Sequence, residues 1–362
     1  MDLYKLVKEL SEANGVSGYE HNVSTLVREK MEVYCDEISE DAMGNLIGLK
    51  RGRHKKSGKS RRVMLAGHMD EIGFMVTGIE KGFVRFTQVG GYDVRILPGQ
   101  IVNVHCQSKT IKGVIGALPP HITGGSGGVT PMDKLFIDTG LSEKEVNRTV
   151  KVGDWATIDA PCRKLQGDYI YGKTFDDRVG VASIICCLDE LSRMDHSWDV
   201  YAVATVQEEI GIRGATTGAF GVAPDLGIAI DVGFGKQPGV PEDRAEIPGK
   251  GPTMVIGPNI HPALFKHFKD TAKLHEIPVQ ESVEPGGTGT DANAIQITRE
   301  GIPTMLFSVP IRNMHTPVET LNLKDLRRCG RLMALAISAM DDKFMDTLNW
   351  DSAENGAETN DA

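Results

Sequence analysis

The chain has 362 residues, a formal net charge of −9, 40% hydrophobic and 25% charged residues. That is an ordinary globular composition, long enough for one large domain or two, and its acidic balance argues against general affinity for nucleic acid or an anionic membrane. No apolar run approaches the roughly 18 residues of a bilayer span and no leader peptide is visible. The scattered cysteines (Cys35, Cys106, Cys162, Cys186, Cys187, Cys329) form no Cys-x-x-Cys pair, so they read as reduced core thiols of a cytoplasmic protein.

In chain order, residues 2–13 and 20–34 carry helical spacing, the second with Val23, Leu26, Val27 and Met31 on one face. Residues 40–49 read as a turn feeding a strand. The basic stretch from Arg51 to Arg62 lacks the interleaved aromatics of a nucleic-acid patch and reads as a solvated, hairpin-like connection. From Glu71 to Ala160 the texture changes. Short β-type runs (Phe74 to Ile79, Phe83 to Phe86, Ile101 to His105, Ile111 to Gly116, Trp155 to Ile158) are separated by glycine and proline, which predicts a small all-β barrel or sandwich. One helix is expected inside it, Ser142 to Asn147. The stretch Pro119 to Gly128 reads as a mobile loop, because no strand-then-helix frames its glycines as a phosphate loop requires.

From Gly167 the α/β texture returns. Helices are expected around Val179 to Leu191, after Arg213, from Pro262 to Leu274 and from Leu323 to Met340. Alternating with apolar strands, they predict an α/β fold, a mostly parallel mixed sheet sandwiched by helices. The expected organisation is a discontinuous α/β domain (1–70 and 161–345), an inserted all-β domain (71–160) and an acidic, disordered tail (346–362).

Four apolar runs end in chemically capable side chains. Val200 to Val206 runs into Glu208 and Glu209, Val63 to Gly67 into His68 and Asp70, and Leu226 to Ile230 into Asp231; Thr304 to Val309 is followed after a short loop by His315. In an open α/β sheet the carboxyl ends of the strands form the ligand-binding edge, so these groups can converge. The candidate ligands are His68, Asp176 or Asp177, Glu208 or Glu209, Asp231 and His315. This nitrogen and oxygen set suits Zn, Co or Mn and exceeds what one tetrahedral zinc needs. Two ions sharing a bridging carboxylate would use all of it. Asp176 is assigned as the bridge, with Asp177 and Arg178 as supporting or capping groups, and Asp70 as the acceptor that orients the His68 ring. One of Glu208 and Glu209 should bind metal and the other act as general base, which is hydrolase chemistry. Thr316-Pro317-Val318-Glu319 matches a capping box with proline at the first helical position. Arg312 is equally suited to a substrate carbonyl or a surface acid, and Asp291 reads as a cap of the next helix after a glycine-rich loop.

At these positions the sequence resembles the tetrahedral-aminopeptidase and glutamyl-aminopeptidase family of dinuclear metallopeptidases. The motifs are Gly67-His68-Met69-Asp70-Glu71-Ile72-Gly73, Phe175-Asp176-Asp177-Arg178, Gln207-Glu208-Glu209-Ile210-Gly211, Ile230-Asp231 and Met314-His315-Thr316-Pro317-Val318-Glu319. Each alone is weak; five in family order, with a β-rich insertion between the first two, are specific. The resemblance implies a zinc-exopeptidase-like fold. It also implies that His68 and Asp231 hold one metal, Glu209 and His315 the other, with Asp176 bridging and Glu208 as general base. It further implies two divalent ions per subunit (Zn or Co, with Mn as a third option), short peptide substrates, and an inserted domain that builds dimers into a tetrahedral dodecamer.

The leading expectation is therefore a metal-dependent aminopeptidase acting on short peptides. An endoglucanase-type glycan hydrolase fits less well, since glycosidase carboxylates stand roughly 5–9 Å apart across the scissile bond without metal, and only three Trp are available for sugar stacking. A carboxypeptidase or deacylase could use the same dinuclear site. A non-catalytic peptide-binding or assembly protein would be favoured only if Glu208 or a ligand were missing.

Overall fold

Four apolar runs become the centre of an 11-stranded sheet in the computed structural model, which describes residues 1–53, 60–118, 120–123 and 128–348. Asp199–Thr205, Arg62–His68, Leu226–Phe234 and Thr304–Arg312 lie side by side and run parallel. Nearly every residue in them is buried, as strands covered on both faces require. Helix Phe175–Leu191 packs on Arg62–His68 and Leu226–Phe234 and against helix Leu323–Ser338; a second group, Arg213–Val222 and Asp291–Gln296, packs on the central strands as well. Four of the six cysteines are buried and all six are free thiols.

Outside that centre the sheet departs from the mostly parallel arrangement expected. Leu46–Lys50 pairs antiparallel with Asp199–Thr205, and Glu37–Glu40 antiparallel with Leu46–Lys50. On the far side Glu319–Asn322, Tyr169–Gly172 and Arg163–Lys164 add antiparallel strands, and Thr253–Ile256 pairs antiparallel with Thr304–Arg312 and parallel with Gln280–Val283. The reason is local. Antiparallel neighbours can be joined by tight turns, whereas parallel ones need a crossover, and the short flanking strands carry too few apolar residues to declare themselves. The basic connection after Arg51 is likewise no hairpin, because Asp199–Thr205 lies between the strands it joins.

Residues of the β-rich stretch form a separate closed barrel of six strands, Gly73–Glu80, Phe83–Val89, Ile137–Asp138, Thr110–Ile115, Ile101–His105 and Trp155–Ile158. Its interior is an apolar cluster of its own, built on Phe74, Val76, Phe86, Val102, Val104 and Ile137. The expected short helix is present as Glu143–Thr149, with Ser142 and Glu145 completing a capping box.

The core of the basic connection (54–59), part of the glycine-rich loop (119 and 124–127) and the tail from 349 lie outside the described residues. The tail, expected to be unstructured from Asp346, begins in a short turn, Phe344–Thr347, whose Phe344 packs edge-on against Trp198. Among the described residues no helix is long and apolar enough to cross a membrane.

Candidate metal centre

Register brings the first ligand candidates together. Ala66 pairs with Ala229 on the parallel neighbour, so two residues further on His68 and Asp231 stand at the same level of the sheet. On the other side His68 pairs with Thr205, and the chain then turns through Gln207, Glu208 and Glu209 over the strand ends. Asp176 enters from the start of helix Phe175–Leu191, and His315 from the turn of a hairpin between Thr304–Arg312 and Glu319–Asn322. Asp176 stands between the histidines, with Oδ1 3.1 Å from His68 Nε2 and Oδ2 3.2 Å from His315 Nε2. Glu209 Oε1 is 3.7 Å from His315 Nε2 and Glu208 Oε2 is 3.9 Å from His68 Nε2. His68, Asp176 and Asp231 thus offer donor atoms within 4.8 Å of one another, and so do Asp176, Glu209 and His315.

These positions need an unusual backbone, and buried carboxylates hold it. Gln207 and His315 adopt positive φ, 55° and 59°, which costs a residue with a side chain about 1–2 kcal/mol unless its surroundings impose it. The Gln207 amide donates to Glu20 Oε1 at 3.1 Å, and the next two amides, of Glu208 and Glu209, donate to Asp70 at 3.0 and 3.2 Å. Ser17 Oγ donates to the same Asp70 at 2.6 Å. Asp70 also faces His68 Nδ1, with its carboxylate at 3.4 Å and its carbonyl at 3.3 Å. Glu319 performs the matching task on the other side, accepting from the amides of His315 (2.8 Å), Phe175 (2.6 Å) and Asp176 (3.2 Å). Asp177 accepts from the amides of Gly180 at 2.9 Å and His68 at 3.2 Å, so it caps its helix and ties it to the His68 strand. Arg178 caps too, but another helix: its guanidinium donates to the carbonyls of Leu10 and Ala13 at the end of Leu3–Glu12.

Two sequence expectations fail here. No helix starts at Thr316-Pro317; Glu319 is the first residue of a strand and its carboxylate faces inward to three amides, a role the capping-box pattern concealed. Asp291 is no cap either. It is buried and takes the Thr205 hydroxyl at 2.6 Å, beneath the turn that carries Glu208. Among the described residues Arg312 forms no ion pair with an acid; its Nε donates to the Lys236 carbonyl at 2.9 Å while its guanidinium lies over the Tyr169 ring. Glu20 was missed outright, and only its position before an amphipathic helix could have drawn attention to it.

The charge balance explains why a cation belongs among these groups. Burial pushes Glu208 up to about 9 and Glu209 to about 7, and Asp231 and Asp176 respectively add repulsion. Asp231, Asp177 and Glu319 are driven above the carboxylate range by burial first and by neighbouring acids second. Burial opposes charge on Asp176 as well, but hydrogen bonds from His315 and His68 outweigh it and hold its carboxyl low. His315 is raised to about 10, chiefly by Asp176. Two imidazoles do not neutralise so many buried acids, and buried charge is tolerated only when paired or coordinated. Nitrogen and oxygen donors without sulfur fit Zn, Co or Mn.

Comparison with known proteins gives the same direction. Residues 44–332 match the family model described as M42 glutamyl aminopeptidase. A lysyl aminopeptidase of Pyrococcus furiosus is 38% identical over 333 residues, covering 89% of this chain and 93% of that protein. An aminopeptidase structure from the archaeon Desulfurococcus kamchatkensis superposes with a TM-score of 0.89 at 36% identity, covering 96% of this chain and 97% of that one. The Pyrococcus horikoshii TET1 peptidase, which can assemble into a tetrahedron or a large octahedral shell, superposes with a TM-score of 0.83 at 33% identity, covering 94% and 100%.

Proposed function

The chain belongs to the M42 glutamyl aminopeptidase family and is a metal-dependent aminopeptidase, and from that premise we propose how its residues divide the work. His68 and Asp231 would hold one divalent ion and Glu209 and His315 the second, with Asp176 shared between the two sites. The observation that carries this reading is the position of Asp176, whose two oxygens each face a different histidine at 3.1 and 3.2 Å. When bound, the ions supply Lewis-acid polarisation of the scissile carbonyl and lower the pKa of the attacking water.

Glu208 is the general base. Its carboxylate is largely buried beside the ligand cluster and, among the described residues, accepts no hydrogen bond that would commit both oxygens, so it accepts the proton of the attacking water and delivers it to the leaving amine nitrogen. Asp70 keeps the His68 ring in orientation and, with Glu20, holds the turn that presents Glu208 and Glu209. The native ion is Zn or Co, with Mn as the third candidate. Substrates are short peptides with a free N-terminus.

The barrel is the assembly module, joining copies of this chain into dimers and those into a tetrahedral dodecamer. The separate apolar core of the barrel and the likeness to a peptidase that forms a tetrahedral shell support this. Hydrolysis of aminoacyl-anilides, free peptides and carboxymethylcellulose, after chelation and after restoring Zn, Co or Mn, tests the reading. Release of N-terminal residues that vanishes with chelation and returns with metal is expected. Cleavage of cellulose alone, or release from the C-terminus, would overturn it.

A further inference from the structure

Beside the metal centre, and reaching Asp231, lies a cavity of about 130 Å³, the size of one long side chain. Its walls are mixed. Val255 and Leu306 supply an apolar side, Ser308 a hydroxyl, and the charged groups that face it besides Asp231 are Glu246, Glu284 and Arg244. Glu246 is 7% exposed, whereas Glu284 and Arg244 are exposed and stand where the cavity meets solvent.

The seat of Glu246 is built into the fold. Its backbone bridges to Gly235 just beyond the Asp231 strand, with its amide on the Phe234 carbonyl at 2.9 Å and its carbonyl on the Lys236 amide at 2.6 Å. A Cβ on Gly233 would come within 2.3 Å of Glu246 Oε2, so a glycine two residues past Asp231 is what lets the carboxylate approach. There Oε2 accepts the Ser308 hydroxyl at 3.0 Å, and among the described residues no ion pair forms with Glu246 or Glu284. A carboxylate buried without a cation is unfavourable and stays costly until a cation arrives. Burial holds it at about 7, with Glu284 adding repulsion.

Resting on the aminopeptidase reading above, we propose that this cavity receives the side chain of the peptide's N-terminal residue and selects cationic ones, lysine and arginine, with Glu246 as the specificity-determining residue at its floor. The methylene stem lies against Val255 and Leu306, and the charged end meets Glu246 in a charge-assisted hydrogen bond while Glu284 adds attraction at the rim. An acidic side chain meets the same buried carboxylate with only the solvent-screened Arg244 to offset it, and this repulsion is what excludes it.

The test is kcat/KM of the metal-loaded enzyme on lysyl, arginyl, leucyl and glutamyl p-nitroanilides, for wild type, Glu246→Gln and Glu284→Gln. Wild type should favour the basic substrates over leucyl by at least about tenfold, with glutamyl the poorest. Glu246→Gln, isosteric and still able to accept from Ser308, should lower the lysyl-to-leucyl ratio by about tenfold or more. Glu284→Gln, on the exposed rim, should lower it by roughly two- to fivefold. Preference for glutamyl or leucyl substrate, or a lysyl-to-leucyl ratio that neither variant moves, would overturn the specificity while leaving the aminopeptidase intact. Failure of wild type on every anilide would overturn both.

Discussion

In the barrel, Phe74, Val84, Val104 and Ile137 fill the interior, and charged pairs such as Arg85–Glu80 and Lys112–Asp159 stand outside in solvent. At the sheet edge the order is reversed. His68, Asp70, Asp176, Asp177, Asp231, Asp291 and Glu319 are all buried, many of them raised in pKa by the burial itself. A closed barrel leaves no unpaired strand edge, and its interior here is filled by an apolar cluster. Parallel strands that stop together leave an edge where side chains converge, and only ligands make so much buried charge tolerable. The lesson is that stability and chemistry are kept apart: the barrel gains from every buried methyl group, while the edge carries a burial cost that a bound cation offsets.

The contrast breaks first at Glu208. Glu208→Gln is expected to lower kcat by about 10²- to 10⁴-fold while metal content by elemental analysis and melting temperature stay put. Retention of near-wild-type turnover would remove the general-base role. Next, Ile137→Ala in the barrel should reduce unfolding free energy by about 2–5 kcal/mol through lost burial and a cavity, read by denaturant unfolding, with kcat per folded subunit unchanged. A proportional fall in kcat would mean that the two regions are not separate.

Smallest is a pH effect at the turn that holds the catalytic glutamates. Glu20 is raised to about 7 from the usual 4.5, by burial first and by Asp70 in addition, against the amides of Gly18 and Gln207. The native state therefore binds this proton more tightly than the unfolded chain does. The stabilisation is complete below pH 4.5, is lost as pH rises towards 7, and the loss levels off above that. Glu20→Gln should flatten this part of the curve, making the variant relatively more stable at pH 8 than at pH 5 by at most about 3 kcal/mol. Parallel stability curves for the two proteins would show that Glu20 is ionised and paired instead.

Much of this architecture was legible in the chain. The runs ending at His68 and Asp231 are parallel strands whose ends meet, and the helices from Pro262 to Leu274 and from Leu323 onward stand where their periodicity puts them. The flanks were not legible: Glu37–Glu40 and Arg163–Lys164 are too short and too exposed to show a pattern. Glu319 was misread because a Thr-Pro-x-Glu sequence is locally consistent with a helix start, and only the hairpin with Ile311 and Arg312 overrules it. The roles of Asp291 and Glu20 at the site do not show locally, since Thr205 and Gln207, the groups they hold there, are far away in sequence.

What the sequence by itself determined is therefore the set of apolar runs, their periods and the reactive residues that follow them, because burial and local hydrogen bonding depend on neighbours a few positions apart. Which strands pair antiparallel at the flanks, which carboxylates clamp the turns at Gln207 and His315, and which acid reaches the cavity beside Asp231 were decided only in three dimensions. Those contacts join residues more than a hundred positions apart as well as near neighbours, and a buried carboxylate acquires its role from whatever the fold sets against it.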